Sequence, residues 1–421
     1  MVPEGFKAVS GVGVVPQDWL VLEANEVSKK VTKGTTPPKK DVSERGIIPF
    51  LRVNNLSVDG YLDKSSHFIY VSEEAHNNFL ARSVAYPDDV LMNIVGPPLG
   101  KTALLGDEYK EYNMNQAVVF YRLNKSIILP NYFLLFLSSG VAQGWLQSRS
   151  KKTSGQQNLT IELCKQLPVP VPPLTEQSRI AQLLSAWNKA ITTTEQLLVN
   201  SRQQKKALMQ QLLTGKQRLL DKDGVRFSGE WEWLKASDLF KTVSKKNNSD
   251  DEELLAVTQD QGALPRSLLE RRVVMPDGTT QGYKLVVPGN FIISLRSFQG
   301  GLEYSKYRGL VSPAYTVLEP IKQVDDNFFK HYYKSYNFIG HLAVAVIGIR
   351  DGKQISYADF SFLKLPYPSL EEQQKIAAVL STADREIDTL QLKLDTLKQE
   401  KKALMQQLLT GKRRVKTEEA T

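Results

Sequence analysis

Two stretches of the chain place mostly apolar residues in alternating steps of four and three. The first runs Ile180, Leu184, Trp187, Ile191, Thr194, Leu198, Ser201, Lys205, Leu208, Leu212. The second runs Ile376, Leu380, Ala383, Ile387, Leu390, Leu394, Leu397, Lys401, Leu404, Leu408. Steps of four and three average 3.5 residues, the period of a left-handed coiled-coil seam, so each stretch predicts one long helix. Proline holds the chain extended just ahead of each, in the run Pro168–Pro173 and at Pro366 and Pro368. Thr175 is the expected N-cap of the first helix, and Ser369 with Glu372 has the spacing of a capping box in the second. Gly215 and Gly411 sit where a left-handed residue closes a helix.

The two helices are copies. Lys205–Lys216 and Lys401–Lys412 both read KKALMQQLLTGK, an offset of 196, and Leu174–Lys216 matches Leu370–Lys412 at 23 of 43 positions. A helix from Leu174 to Thr214 would be about 60 Å long, so the two copies are expected to pack on each other. Trp187 stands where the second copy has Ala383, and its ring is expected in the seam. The segments preceding the helices share little sequence. Each begins at an acidic residue and tryptophan, Asp18–Trp19 and Glu230–Trp231, an offset of 212. YPDDVLMNIVG (Tyr86–Gly96) loosely matches VPGNFIISLRS (Val287–Ser297), and SGQQNLT (Ser154–Thr160) matches DGKQISY (Asp351–Tyr357). Strand-like runs at Ile47–Val53, Val118–Leu123 and Val311–Leu318 make each head mixed α/β, in the α+β sense. The expected division is a head at 1–167, a helical spacer at 168–216, a head at 217–365, a spacer at 366–412 and a flexible tail at 413–421. A plain helical hairpin or a dimerising coiled coil accounts for the helices equally; a rigid spacer between two heads accounts also for the divergence of the heads.

Composition narrows the function. The 421 residues carry a net charge of +9, which favours polyanionic partners. Cys164 is the single cysteine and the four histidines lack ligand spacing, so no metal site is expected. No leader pattern and no apolar run of membrane length is present, and a cytoplasmic location is expected. The sequence has no P-loop, dinucleotide fingerprint, amino-methyltransferase motif, G-x-S-x-G or H-E-x-x-H. Pro87–Asp88–Asp89 reads as a solvated acidic turn. No catalysis by this chain, and no cofactor on it, is expected.

The order head, helix, head, helix, with P-V-P-P-L-T-E-Q and P-Y-P-S-L-E-E-Q opening the helices and K-K-A-L-M-Q-Q-L-L-T-G closing both, resembles the specificity subunits of type I restriction–modification systems. The resemblance spans essentially the whole chain. It implies two target-recognition domains, each reading half of an asymmetric bipartite site in double-stranded DNA. They would be separated by two long antiparallel helices in a coiled-coil-like spacer, with a pseudo-twofold internal repeat. It also implies two methyltransferase (modification) subunits using S-adenosylmethionine, and restriction/translocase subunits using ATP and Mg. A non-catalytic helical-repeat scaffold that binds only proteins is the alternative.

Candidate DNA contacts are basic and amide-rich loops. In the first head they are Lys29, Lys30, Lys33, Thr35, Lys39 and Lys40, with Gly34 allowing close backbone approach. Arg52 and Asn54 have the chemistry to read guanine and adenine edges, although Asn54 also suits a turn. Arg149, Lys151, Lys152, Gln156 and Gln157 form a basic loop ahead of the helix. In the second head the candidates are Lys245, Lys246, Asn247, Arg271, Arg272, Arg296, Gln299, Arg350, Lys353 and Gln354. Solvated loops without a partner are the plain alternative for each group.

Overall fold

The computed structural model describes residues 2–58, 60–63, 66–153, 156–246, 252–269, 280–345 and 355–416. The two seams fold as helices of 39 residues, Leu174–Leu212 and Leu370–Leu408. Ile180, Leu184, Leu198, Leu212, Ile376, Leu380, Leu394 and Leu408 are buried. Trp187, Ile191, Leu208, Ile387, Leu390, Leu397 and Leu404 are half-buried, so no expected seam residue is fully exposed. The Trp187 ring is thus less enclosed than the frame implied. The first helix opens at Leu174, with the Gln177 amide donating to the Pro173 carbonyl; Thr175 lies inside the first turn and is not the cap. Ser369 does cap the second, its Oγ accepting from the Glu372 amide at 3.3 Å. Gly215 and Gly411 take φ of +70° and +69°, which allows their amides to turn back to the Leu212 and Leu408 carbonyls.

The chain divides into two compact units, Met1–Thr193 with Leu394–Thr421, and Thr194–Lys393. The helices supply part of each head's core. In the first unit Ile180, Leu184, Leu408 and Leu409 join Trp19, Tyr121, Phe133 and Phe136. In the second, Leu212, Leu213, Ile376 and Leu380 join Phe240, Phe291, Phe329 and Tyr333. Within the second unit the helices run antiparallel: Ser201 bonds Glu386, and Lys205 pairs with Asp384.

Each head is α+β and both use one plan. In the first, Leu20–Glu23 pairs antiparallel with the proline strand Pro168–Val171. Its four-stranded antiparallel sheet has the order Ser28–Lys33, Val118–Leu123, Val90–Asn93, Thr102–Leu104. Helices Pro130–Leu137 and Gly140–Ser148 follow. In the second, Glu232–Lys235 pairs with Lys364–Tyr367, and the sheet order is Phe240–Val243, Thr316–Pro320, Phe291–Ile293, Glu303–Tyr304. Helices Asp326–Tyr332 and Tyr336–Ala345 follow. The stretch Val311–Leu318, expected as one strand, is two: Gly309–Val311 ends and Thr316–Pro320 begins across a turn.

The Tyr86–Gly96 and Val287–Ser297 match is structural. Asp89 Oδ2 accepts from the Tyr86 amide at 2.9 Å, and Asn290 Oδ1 from the Val287 amide at 3.0 Å. The 196-residue offset also reaches further back than identity revealed. Ser139 and Ser335 both N-cap the second head helix, accepting from the amides of Ala142 and Phe338. No helix among the described residues is long and apolar enough to cross a membrane.

Candidate nucleic-acid interface

Each head is fastened to the helices by one arrangement. Glu176 is buried in the first turn of the first long helix and accepts from Trp19 Nε1 at 3.2 Å. Arg414 reaches the same carboxylate with Nε at 2.7 Å and Nη2 at 2.9 Å, and bonds Asp18 through Nη1 and Nη2 at 2.9 Å. Glu372 repeats this in the second unit, accepting from Trp231 Nε1 at 3.0 Å and from Arg218 at 2.5 and 2.7 Å. Bidentate guanidinium pairs of this kind fix direction as well as distance. Arg414 holds the Asp18 carboxyl below its ordinary range. Residues 413–416 are accordingly no free tail; Arg414 locks the helix end to the first head.

The glutamine that follows each glutamate does a second job. Gln177 Oε1 accepts from the Leu129 amide, and its Nε2 donates to the Ile127 and Pro172 carbonyls. Gln373 likewise accepts from the Asp325 amide and donates to Pro368. The E-Q pair therefore ties helix start, tryptophan and head helix together. Its sequence signal was present: Glu176, Gln177, Arg218, Glu372, Gln373 and Arg414 all obey the 196 offset.

The expected contact residues divide by environment. Lys29 and Lys33 are exposed on the edge strand Ser28–Lys33, and Lys39 and Lys40 on the short turn Lys39–Asp41. Lys30 is half-buried; its Nζ donates to the Arg82 carbonyl at 2.8 Å and lies 5.7 Å from the Phe120 ring centre. Thr35 is buried, with its hydroxyl accepting from Arg82. Thr35 is enclosed because the chain packs on the head after the strand Ser28–Lys33, whereas Lys30, within that edge strand, stays half-buried at the surface. Gly34 is also internal, because a Cβ there would stand 2.0 Å from the Met114 carbonyl oxygen. Arg52 is half-buried, with Nε enclosed and unpartnered, while Asn54 is exposed.

Arg149 is exposed and stacks 4.5 Å over Trp145. The strands Lys151–Thr153 and Gln156–Asn158 pair antiparallel, Lys152 opposite Gln157. The side chains of Lys151, Lys152 and Gln156 lie outside the described set, and Gln157 is half-buried. In the second head Lys245, Lys246, Arg296 and Gln299 are exposed. Asn247, Arg271, Arg272, Arg350, Lys353 and Gln354 lie outside the described residues.

Asp89 is not solvated as expected. It is buried and receives Arg122 Nε at 3.1 Å and Nη2 at 2.8 Å; burial nevertheless raises its pKa above the ordinary value. Cys164 packs in the core, and burial pushes its thiol up to about 12. Among the described residues no group of three or more His, Cys, Asp or Glu side chains could hold a metal ion.

Known proteins share this architecture. Residues 16–200 and 220–399 match the type I restriction modification DNA specificity domain. A candidate type I restriction enzyme MjaX specificity subunit of Methanocaldococcus jannaschii is 27% identical over 98% of both chains. The MjaVIII specificity subunit of the same organism is 24% identical over 98% of this chain and 97% of its own. The fold is that of the HsdS subunit from Thermoanaerobacter tengcongensis, with a TM-score of 0.52 at 18% identity, covering 94% of this chain and 98% of that one. The S subunit from M. genitalium gives 0.56 at 14% identity, covering 97% and 99%. Two matched domains, spanning most of the chain and set on duplicated helices, make this protein a member of the type I restriction–modification DNA specificity family.

Proposed function

We propose that each head reads one half of an asymmetric bipartite site in double-stranded DNA, with the long helices fixing the interval. The observation that carries this is duplication without identity. The Glu–Trp–Arg lock and the KKALMQQLLTGK helix ends are repeated, whereas the loops that the heads present are not. A helix of 39 residues is about 58 Å long, enough to span the roughly 34–36 Å between half-sites one DNA turn apart. Lys29, Lys33, Lys39, Lys40 and Arg149 in the first head, and Lys245, Lys246 and Arg296 in the second, supply exposed cations for phosphates; Asn54 and Gln299 supply amides for base edges.

The chain itself supplies specificity rather than chemistry. The helices dock two methyltransferase subunits, which bring S-adenosylmethionine, and restriction/translocase subunits bring ATP and Mg. Co-purification with the products of the genes beside this one, followed by methylation mapping of DNA exposed to the complex, tests this. Adenine methylation at one asymmetric, interrupted motif is expected. A chain that recruits no methyltransferase and shows no salt-dependent affinity for duplex DNA would be a protein-binding scaffold instead.

A further inference from the structure

The short helix Glu73–Asn77 of the first head leads into three exposed residues in a row, Asn77, Asn78 and Phe79, held between the buried His76 and Leu80. One side chain clamps both anchors. Asn113 Oδ1 meets His76 Nδ1 at 2.6 Å, and Asn113 Nδ2 donates to the Leu80 carbonyl at 3.4 Å. Ser83 donates to the same carbonyl, and the Leu80 amide turns back to the Ala75 carbonyl at 2.8 Å. Phe79 is nevertheless 54% exposed, and the Asn77 and Asn78 side-chain amides have no partner among the described residues. Anchors on both sides fix this backbone before anything binds, so little ordering cost is left for binding.

The segment lies between two parts of the lysine-rich run. The Ser72 amide, just ahead of the helix, donates to the Asp41 carbonyl at 3.0 Å in the turn that carries Lys39 and Lys40. Beyond Leu80, the Arg82 carbonyl accepts from Lys30 and its guanidinium donates to Thr35. Lys29, Lys33, Lys39, Lys40 and Arg82 are exposed. Of the nearby carboxylates, Glu111 is bonded by His76, and Glu73 and Glu74 lie in the first turn of the helix. Cations suited to phosphates thus flank side chains suited to base edges.

Resting on the reading of the heads as DNA readers, we propose that Asn77, Asn78 and Phe79 read A·T pairs of one half-site in the major groove. An asparagine amide pairs with adenine N6 and N7, and the Phe79 ring packs on a thymine 5-methyl group.

The test uses the assembled complex and the motif that methylation mapping returns. Asn77→Ala or Asn78→Ala should relax the choice of base at an A·T position of one half-site by about fivefold or more, while the other half-site stays sharp. Replacing thymine by uracil in that half-site removes only the methyl group. It should weaken binding several-fold for the unsubstituted complex and not for Phe79→Ala. All three residues are exposed, so urea midpoints should not move. An unchanged motif in all three variants, or a loss of affinity uniform across sequences, would overturn the proposal. So would a uracil substitution that changes nothing, or that weakens Phe79→Ala equally. A complex without affinity for duplex DNA would overturn both this proposal and the reading it rests on, which separates the two failures.

Discussion

Removing the Glu372 carboxylate should cost the second unit more than any exposed charge change. That side chain is 1% exposed and accepts three hydrogen bonds, two from Arg218 at 2.5 and 2.7 Å and one from Trp231. Glu372→Ala leaves a guanidinium that is only 19% exposed without its counter-charge, and an indole N–H without an acceptor. Breaking a buried pair from one side costs about 3–5 kcal/mol. Arg218 keeps the Gly229 carbonyl at 2.7 Å and the Trp231 ring, which places the expected loss near 3 kcal/mol. For a unit of this size, about 2–4 °C per kcal/mol gives a fall in Tm of roughly 6–12 °C. Glu176→Ala should cost less, about 1–2 kcal/mol, because Arg414 is 44% exposed and retains Asp18. Urea unfolding of the full chain, followed by tryptophan fluorescence, measures both; Trp231 and Trp233 report the second unit and Trp19, Trp145 and Trp187 the first. A Glu372→Ala loss under about 1 kcal/mol, or a larger loss at Glu176, would refute the reasoning.

Gly411→Ala should destabilise more than Gly215→Ala in the same unfolding assay. Both residues hold positive φ, costing about 1–2 kcal/mol, but a Cβ at Gly411 would meet Pro16 at 2.3 Å while one at Gly215 stops 3.4 Å from Trp231. His331 is held at a pKa of about 4, chiefly by burial, with Asp384 opposing. Its folded pKa lies below the unfolded 6.5, so the unfolded chain takes the proton first, and stability is lost as pH falls from 6.5 to 4. The full loss is about 3 kcal/mol, and His331→Leu should flatten that part of the pH–stability curve. In DNA titrations against salt, Lys29→Ala, Lys33→Ala, Lys39→Ala or Lys40→Ala should each lower the slope of log K by up to about 0.9, and Lys30→Ala should leave it unchanged. A slope insensitive to all four exposed lysines would remove this loop from the interface.

The parts of this protein that could be read from sequence are those in which a period or a repeat carries the signal. The seams recur every 3.5 residues and are duplicated, so both long helices were legible in the sequence; eight of the fifteen large apolar seam positions are buried and the other seven half-buried. The heads diverge because their loops answer to what they touch. Only backbone devices persist between them, such as the Asx turns at Asp89 and Asn290 and the serine caps at Ser139 and Ser335. Composition misled wherever one residue type serves two environments. Lys29, Lys33, Lys39 and Lys40 of the lysine-rich run are exposed, yet Gly34 and Thr35 within it turn inward onto Met114 and Arg82. The buried glutamates were hidden for the opposite reason. An acid in a helix's first turn is ordinary on electrostatic grounds alone, and nothing local marks Glu176 or Glu372 as enclosed. Their partners lie 238 and 154 residues away, and only the shared offset of Arg218 and Arg414 links them in sequence. Repetition at the offset does not by itself mark burial, because the exposed lysines Lys206 and Lys402 share it. What sets Glu176, Glu372, Arg218 and Arg414 apart is that an acid and a base recur together outside the identical helix ends, which is the pattern of a retained ion pair rather than of a copied surface.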